Sequence, residues 1–434
     1  MIAFIALTIV SLLVLALGTG VWVGLALYFV GIVSLSIFKG MPVDKLFAQL
    51  TWNASTTPEL IALPMFILMA EILFRSKLSS SLFSGLTPWT TRLPGRLLHV
   101  NVMGCTLFAA VSGSSAATTA TVGRITMTEL FKRGYDKDLA MGSLAGAGTL
   151  GFLIPPSIIM IIYGVLAEAS ILKLFIAGIV PGLLLAICYM GYLGLRTTID
   201  PTKVPQEDLS ATWHDRIVAL KHLGPVLFLI IVVIGSMYGG FASPSEAAAV
   251  GVLGAIIVSG LQGTLTRESI IQIAYGSIRT ISMIGLIVAA ASFLSSSMGY
   301  LGVPRAVATM ISEMDLTPFM LIMLLLVFYI GLGCVLEGMS TIVMTLPITL
   351  PLIEAAGFDK IWFGVFLVVV VEMAQITPPV GFNLFVIQGM TGEKISRIAR
   401  ATFPFFLIMI ALVFLITVFP GIVTYLPGQV EFRG

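Results

Sequence analysis

Long apolar runs, separated by short polar stretches, organise this chain from end to end. Runs near 2–17, 20–38 and 58–75 predict three helices approaching the roughly 20 apolar residues that a bilayer crossing needs. A helix–break–helix is predicted at about 98–132, where the polar run Ser112-Gly113-Ser114-Ser115 interrupts an apolar stretch. Two more runs follow, near 138–167 and 170–197. A hydrophilic stretch from Thr198 to about Leu220, with Asp200, Pro201, Lys203, Pro205, Glu207, Asp208 and His214, is the natural boundary between two halves. The second half repeats the order. Runs near 222–238, 243–262 and 277–299 precede a second helix–break–helix at about 318–355, interrupted by Glu337-Gly338-Met339-Ser340-Thr341. Runs near 358–389 and 400–426 complete it.

The interruptions come in matched pairs. Gly113 and Gly338 are 225 positions apart. Gly148-Thr149-Leu150-Gly151-Phe152-Leu153-Ile154-Pro155-Pro156-Ser157 is matched by Gln375-Ile376-Thr377-Pro378-Pro379-Val380-Gly381-Phe382-Asn383, with Pro155 and Pro378 separated by 223. Apolar segments broken by Gly and Pro at corresponding places in two halves point to a transporter binding site at a repeat interface. The arms of each helix–break–helix are short for full crossings, so each is expected to be a re-entrant hairpin. That leaves five crossings per half, an odd number, and makes the halves inverted. The expected fold is therefore an all-α polytopic membrane protein. Residues 1–197 form one repeat, with a broken helix at about 138–167; 198–220 form a cytoplasmic linker; 221–434 form the second repeat, with a broken helix at about 358–389. With the segment 76–97 in the cytoplasm, that side receives 17 of the 23 Lys and Arg residues, and Lys39, Lys45, Lys173, Arg305, Lys360 and Arg433 fall outside. The positive-inside rule then places the N-terminus outside.

Composition supports the membrane reading and removes others. The chain is 58% hydrophobic and 10% charged, with a mean hydropathy of +1.07, far from a soluble globule of this length. A net charge of +2 gives no electrostatic support to nucleic-acid binding. No phosphate-binding loop or nucleophile elbow is present, so neither ATP hydrolysis nor an enzyme of that kind is expected. Cys105, Cys188 and Cys334 stand singly in apolar segments and read as small core residues. The N-terminal run lacks a basic start and a cleavage site, and reads as a first span.

Irregular backbone in hydrocarbon is tolerated only where protein buries it or a wet cavity lines it. The Gly/Ser tips and the Pro-Pro breaks free backbone carbonyls, which are hard oxygen ligands. The hydroxyls of Ser112, Ser114, Thr149, Ser340, Thr341 and Thr377 add more. A small hard cation such as Na⁺ suits them, and helix N-termini after Gly113 and Gly338 favour a carboxylate. The site thus reads as an anion plus Na⁺, with no other cofactor; the alternative is that Gly and Pro only kink packed helices. Ser115, Gly151, Met339, Asn383 and Arg124 are candidates for touching the substrate, although Arg124 also reads as a snorkelling arginine. Glu372, deep in a span, is a candidate ion-path, proton or gating group. Glu337 reads either as a helix cap or as a cation ligand. Glu246 reads as the partner of Ser243 in a capping box, and Glu71 with Arg75 as a local i,i+4 pair. Met41–Asn53 and Leu78–Leu98 read as interfacial helices.

At these residues the chain resembles the large membrane subunit (DctM-like) of tripartite ATP-independent periplasmic (TRAP) transporters. The resemblance rests on Ser112 to Ala117, Val122-Gly123-Arg124, Lys132 to Tyr135, Gly148 to Gly151 with Ile154 to Ser157, Ala177 to Gly182, and Thr377 to Gly381 with Asn383 to Phe385. It implies an elevator-type transporter of the bacterial inner membrane, with a scaffold and a mobile transport domain. It implies import of organic acids such as C4-dicarboxylates or sialic acid by Na⁺ symport. A soluble periplasmic protein would deliver the substrate, and a separate small four-helix membrane subunit would complete the complex. One Na⁺ site is implied between Ser112–Ser114 and Gly148–Pro155, and another between Glu337–Thr341 and Thr377–Gly381, which includes Gly338, Ser340, Thr341, Pro378 and Gly381. The alternatives are a stand-alone carrier of the same superfamily that needs no binding protein and, from a different class, a membrane-embedded enzyme, whose Ser/His or metal constellation is absent, or a channel, which would not need paired broken helices in inverted halves.

Overall fold

A computed structural model describes residues 2–40, 42–205, 211–304, 306, 309, 317–334, 336–379 and 381–429. Met41, Glu207, Asp208, Arg305, Val380 and Arg433, named above, lie outside that set. The described residues are helical throughout their regular structure. The first half comprises α1 (Ile2–Gly18), α2 (Val23–Phe38), α3 (Val43–Ser55), α4 (Ala62–Phe74), α5 (Leu78–Thr90), α6 (Leu98–Ser112), α7 (Ser115–Lys132), α8 (Lys137–Gly148), α9 (Leu150–Leu153), α10 (Ile158–Leu166) and α11 (Ile171–Ile199). The second comprises α12 (Trp213–Tyr238), α13 (Pro244–Leu261), α14 (Arg267–Leu301), α15 (Pro318–Gly333), α16 (Gly338–Ala355), α17 (Lys360–Gln375), α18 (Phe382–Thr391), α19 (Ile395–Val418) and α20 (Gly421–Gln429). Among the described residues, seven helices are long and apolar enough to cross a membrane, or eight if the pair Val43–Ser55 and Pro58–Phe74, bent by 53°, is one span. This is a multi-pass membrane protein.

Several helices start before the apolar run does. α12 begins at Trp213 rather than near 222, because Thr212 and Asp215 form a reciprocal capping box that satisfies the first N–H groups. α14 begins at Arg267 rather than near 277, with Thr266 and Ser269 in the same roles. The polar stretch is therefore shorter than the expected 198–220 linker. α19 extends to Val418 and stops before Pro420, which cannot continue the hydrogen-bond ladder.

The helices pack in two groups. α2, α3, α4, α12, α13 and α14 contact one another, as do α6, α7, α8, α17, α18 and α19. Small residues let backbones approach within each group. Gly24 and Gly31 of α2 face Leu286 and Phe293 of α14, while Gly142 and Gly146 of α8 face the Ala401 carbonyl and the Phe405 ring of α19. Phe47 of α3 stands edge-on to Phe293 at 5.3 Å, which seats that amphipathic helix on α14. α17 is buried on all sides from Trp362 to Gln375 and forms the axis of the second group. Cys105 is buried, but Cys188 is exposed on α11 and so is not the core residue its apolar surroundings suggest.

Candidate functional site

The first tip is built by chain geometry that only Gly allows cheaply. Gly113 caps α6 in the left-handed region at φ 60°. Its Cβ position would lie 2.6 Å from the Pro156 carbonyl oxygen, so a side chain there would meet backbone. The Gly113 carbonyl accepts from the Ile158 N–H at 3.2 Å. Ser114 then caps α7, its hydroxyl accepting from the Ala117 N–H at 3.4 Å. The tip thus rests directly on the break that precedes α10. On the other side of the tip, Gly151 lies so close that its Cβ would be 2.5 Å from Ser115 Cα and 2.6 Å from the Ser114 carbonyl oxygen. Pro155–Pro156 is a cis peptide, as is Pro378–Pro379 in the second half.

The opening of the α8–α9 helix has a specific cause. In an unbroken helix the Phe152 N–H would bond the Gly148 carbonyl four residues back. Here the Gly148 carbonyl accepts from the Ser115 hydroxyl at 2.9 Å, and the Phe152 N–H donates to Glu372 Oε1 at 2.9 Å. Asn383 closes the circuit, its Nδ2 donating to Ser115 Oγ at 2.9 Å. Ser115, Thr119, Glu372 and Asn383 are all 0% exposed. Among the described residues, Glu372 Oε2, Asn383 Oδ1 and Thr119 Oγ1 find no protein hydrogen-bond partner. Thr119 and Asn383 both abut Gly148. Two of these three oxygens, Glu372 Oε2 and Asn383 Oδ1, can only accept when the carboxyl is ionised, and buried oxygens of this kind are satisfied by a donor, water or a hard cation.

The second tip is made differently. Glu337 is the N-cap of α16, and its Oε2 accepts from Met339 N at 3.1 Å and Ser340 N at 3.3 Å. A carboxylate of the chain itself therefore occupies the positive end of this helix, where a substrate carboxylate would otherwise be favoured. This geometry puts Glu337 in the capping role through Oε2. The Thr341 hydroxyl donates to the Glu337 carbonyl at 3.0 Å. Gly338 lies against Val371 and Gln375 of α17, its Cβ position 2.9 Å from Gln375 Nε2, and also faces Ile159 of α10. At the second break the Thr377 hydroxyl donates to the Met373 carbonyl at 2.7 Å. Gly381 brings the carbonyls of Gln375 and Thr377 together, 2.9 and 2.8 Å from its Cβ position. Pro378 and Pro379 are exposed.

The structure brings together Ser112 to Ser115 with Gly148, Gly151 and the Pro155–Pro156 break, and Gly338 with the end of α17. Other candidates also have partners of their own. The Ser112 hydroxyl bonds Thr118 Oγ1 at 2.8 Å. The Thr149 hydroxyl donates to the Gly146 carbonyl at 2.6 Å and meets Tyr189 OH at 3.2 Å. Arg124 is exposed, with its guanidinium carbon 5.5 Å from the centroid of the Phe74 ring. Glu71 pairs with Arg75 at 3.7 Å. Thr119, Tyr189 and Phe152 were not singled out by sequence; nothing local marks them, since each matters only through a partner on another helix.

Comparison with known proteins is consistent over nearly the whole chain. The family profile described as "Tripartite ATP-independent periplasmic transporter, DctM component" matches residues 9–422. The chain is 31% identical over 439 residues to the C4-dicarboxylate TRAP transporter large permease protein DctM of Rhodobacter capsulatus, covering 98% of this chain and 99% of that one. It is 30% identical to the isethionate TRAP transporter permease protein DctMQ of Oleidesulfovibrio alaskensis, covering 95% of this chain and 65% of that protein. In fold it is similar to the YdaH transporter of Alcanivorax borkumensis, with a TM-score of 0.66, 14% identity, and 87% and 89% of the two chains covered.

Proposed function

The chain belongs to the DctM component family of tripartite ATP-independent periplasmic transporters, and on that premise we propose that it is the translocation subunit of a Na⁺-coupled importer of small organic anions. It is a transport protein of the large-permease type. In this reading it sits in the bacterial inner membrane with its N-terminus in the periplasm. A periplasmic binding protein delivers the anion, and a separate small membrane subunit completes the complex. The substrate class follows the relatives, whose names specify C4-dicarboxylates and isethionate. The relative named DctMQ is longer than this chain, which matches 65% of it; the remainder is room for the small subunit in fused form.

The observation that carries the reading is the seating of the first tip on the first break: the Gly113 carbonyl on Ile158 N, and the Ser115 hydroxyl on the Gly148 carbonyl. It brings carbonyls, each with a second lone pair to spare, and hydroxyls from two helix ends together in a buried core, the environment in which a desolvated Na⁺ is held by oxygen. In the proposed mechanism Na⁺ at the first site draws the tip and break together, and a second Na⁺ uses the carbonyls gathered at Gly381. Because Glu337 already occupies the second helix N-terminus, the anion is assigned to the α7 end, beside half-buried Ser114. The group containing α6 to α8 and α17 to α19 would move as the transport domain against the group containing α2 to α4 and α12 to α14, as in an elevator built from two inverted repeats. Each net positive charge carried inward across 100 mV supplies about 2.3 kcal/mol to that movement.

Co-reconstitution with the small subunit and the binding protein tests this. Labelled succinate or isethionate should enter proteoliposomes only with an inward Na⁺ gradient and only with the binding protein. Uptake without the binding protein would replace this reading with that of a stand-alone carrier. Uptake indifferent to Na⁺ would remove the ion coupling.

A further inference from the structure

Glu372 and Asn383 lie on either side of the second break, at the end of α17 and the start of α18. Among the described residues, neither side chain bonds to its own break. Glu372 reaches 220 residues back along the chain to the Phe152 N–H, and Asn383 reaches 268 residues back to the Ser115 hydroxyl. These two partners are the break and the tip of the first site. They are also joined to each other, through the Ser115 hydroxyl on the Gly148 carbonyl. The backbone pair that would close the α8–α9 helix is thus held open from two directions, with a second-half side chain on each side of the gap.

We propose that Glu372 and Asn383 are positioning residues through which the second break holds the first site in shape, so that cation binding at the two breaks is coupled; the coupling rests on the two-site reading above, whereas the clamp itself does not. The physical reason is direct. Glu372 and Asn383 flank the segment 376–381, so any rearrangement that brings the carbonyls near Gly381 onto an ion shifts both side chains. A shift of about 1 Å takes a 2.9 Å hydrogen bond beyond its useful range. Phe152 N–H and Ser115 then lose their anchors, and the Gly148 carbonyl is free to reclaim its helical partner. Occupancy at one break therefore biases the geometry at the other, and by linkage the effect is reciprocal.

Hydrogen exchange of the complete transporter, resolved to peptides covering 112–117, 148–154 and 376–383, tests the clamp without requiring transport. Glu372→Ala removes the acceptor and should speed exchange at 150–154 about tenfold, the equivalent of one lost hydrogen bond. Glu372→Gln keeps an oxygen acceptor at the same place and should stay near the wild-type rate. Asn383→Ala should loosen 112–117 and raise the Na⁺ concentration that protects 148–154 about tenfold. Should Glu372→Ala not fold, Ser115→Ala removes only a hydroxyl and should loosen both first-half peptides. Wild-type exchange at 150–154 in Glu372→Ala, or equal loosening in Glu372→Ala and Glu372→Gln, overturns the role of Glu372 as an acceptor. Loosening in Asn383→Ala confined to 376–383 overturns the coupling. If Na⁺ protects no peptide of the wild type, the ion reading fails while the clamp is still decided by the Glu372 and Ser115 variants.

Discussion

Replacing Gly151 by Ala adds one methyl group at the tightest backbone approach of the first site. That carbon would stand 2.5 Å from Ser115 Cα and 2.6 Å from both the Ser114 carbonyl oxygen and the Ser115 N. Carbon atoms rest at about 3.5–4.0 Å, so tip and break must separate by about 1 Å. All three obstacles are backbone, so no side-chain rotation relieves the clash. A separation of that size stretches the Ser115–Gly148 hydrogen bond from 2.9 Å to about 3.9 Å, past any useful strength. Overpacking costs about 1–3 kcal/mol, and the lost bond adds about 1 kcal/mol. The expected total is about 2–4 kcal/mol, borne by the conformation in which the tip is seated. Since about 1.4 kcal/mol is a tenfold change in an equilibrium constant, the Na⁺ concentration for half-maximal uptake should rise at least about tenfold, together with a lower unfolding temperature. Gly191→Ala is the control: it lies on the exposed face of α11, nothing is within 4 Å of its Cβ position, and helix propensity favours the change by up to about 1 kcal/mol. An unaltered Na⁺ dependence in Gly151→Ala would refute the seating of tip on break as the cation site.

Three further outcomes follow from other parts of the structure. Ser243→Ala removes the hydroxyl half of a capping box, in which Ser243 Oγ donates to Glu246 Oε2 at 2.8 Å and accepts from the Glu246 N–H at 3.4 Å, and should cost about 1 kcal/mol in a thermal or denaturant titration. Gly142→Val forces a side chain into the Ala401 carbonyl and toward the Phe405 ring; it should separate α8 from α19 and destabilise by about 1–3 kcal/mol in the same titration. At the water-exposed joint of α8, α18 and α19, the hydrogen bond from Lys137 and then that from Arg397 hold the Glu393 carboxyl below its usual range. A depressed carboxyl contributes stability above its unfolded pKa and loses it as pH falls through the folded one. The unfolding temperature should thus fall on acidification below about pH 4 by less in Glu393→Gln than in the wild type; equal slopes in a pH series of melts would count against it.

What the chain determines locally could be read from the sequence. The apolar runs set the helices, because backbone groups in hydrocarbon must be satisfied within their own segment. The Gly113 turn, the Pro-Pro breaks and the box at Ser243 and Glu246 are legible because their partners lie within a few residues. Family membership was legible too, since it rests on short contiguous motifs such as Ser112 to Ala117. Yet the apolar pattern alone put the start of α12 near 222, because it does not weigh the polar cap at Thr212 and Asp215. Tertiary structure decided the partners. That Glu337 caps α16 through Oε2 depended on its rotamer and on that helix's N–H groups. Arg124 met its ring partner, Phe74, on another helix. Most of all, Glu372 and Asn383 acquired meaning only when packing carried them to Phe152 and Ser115. Hydrogen-bonding side chains specify the chemistry they can do, but the rotation and crossing of helices, set by close packing of small residues, specify with whom they do it.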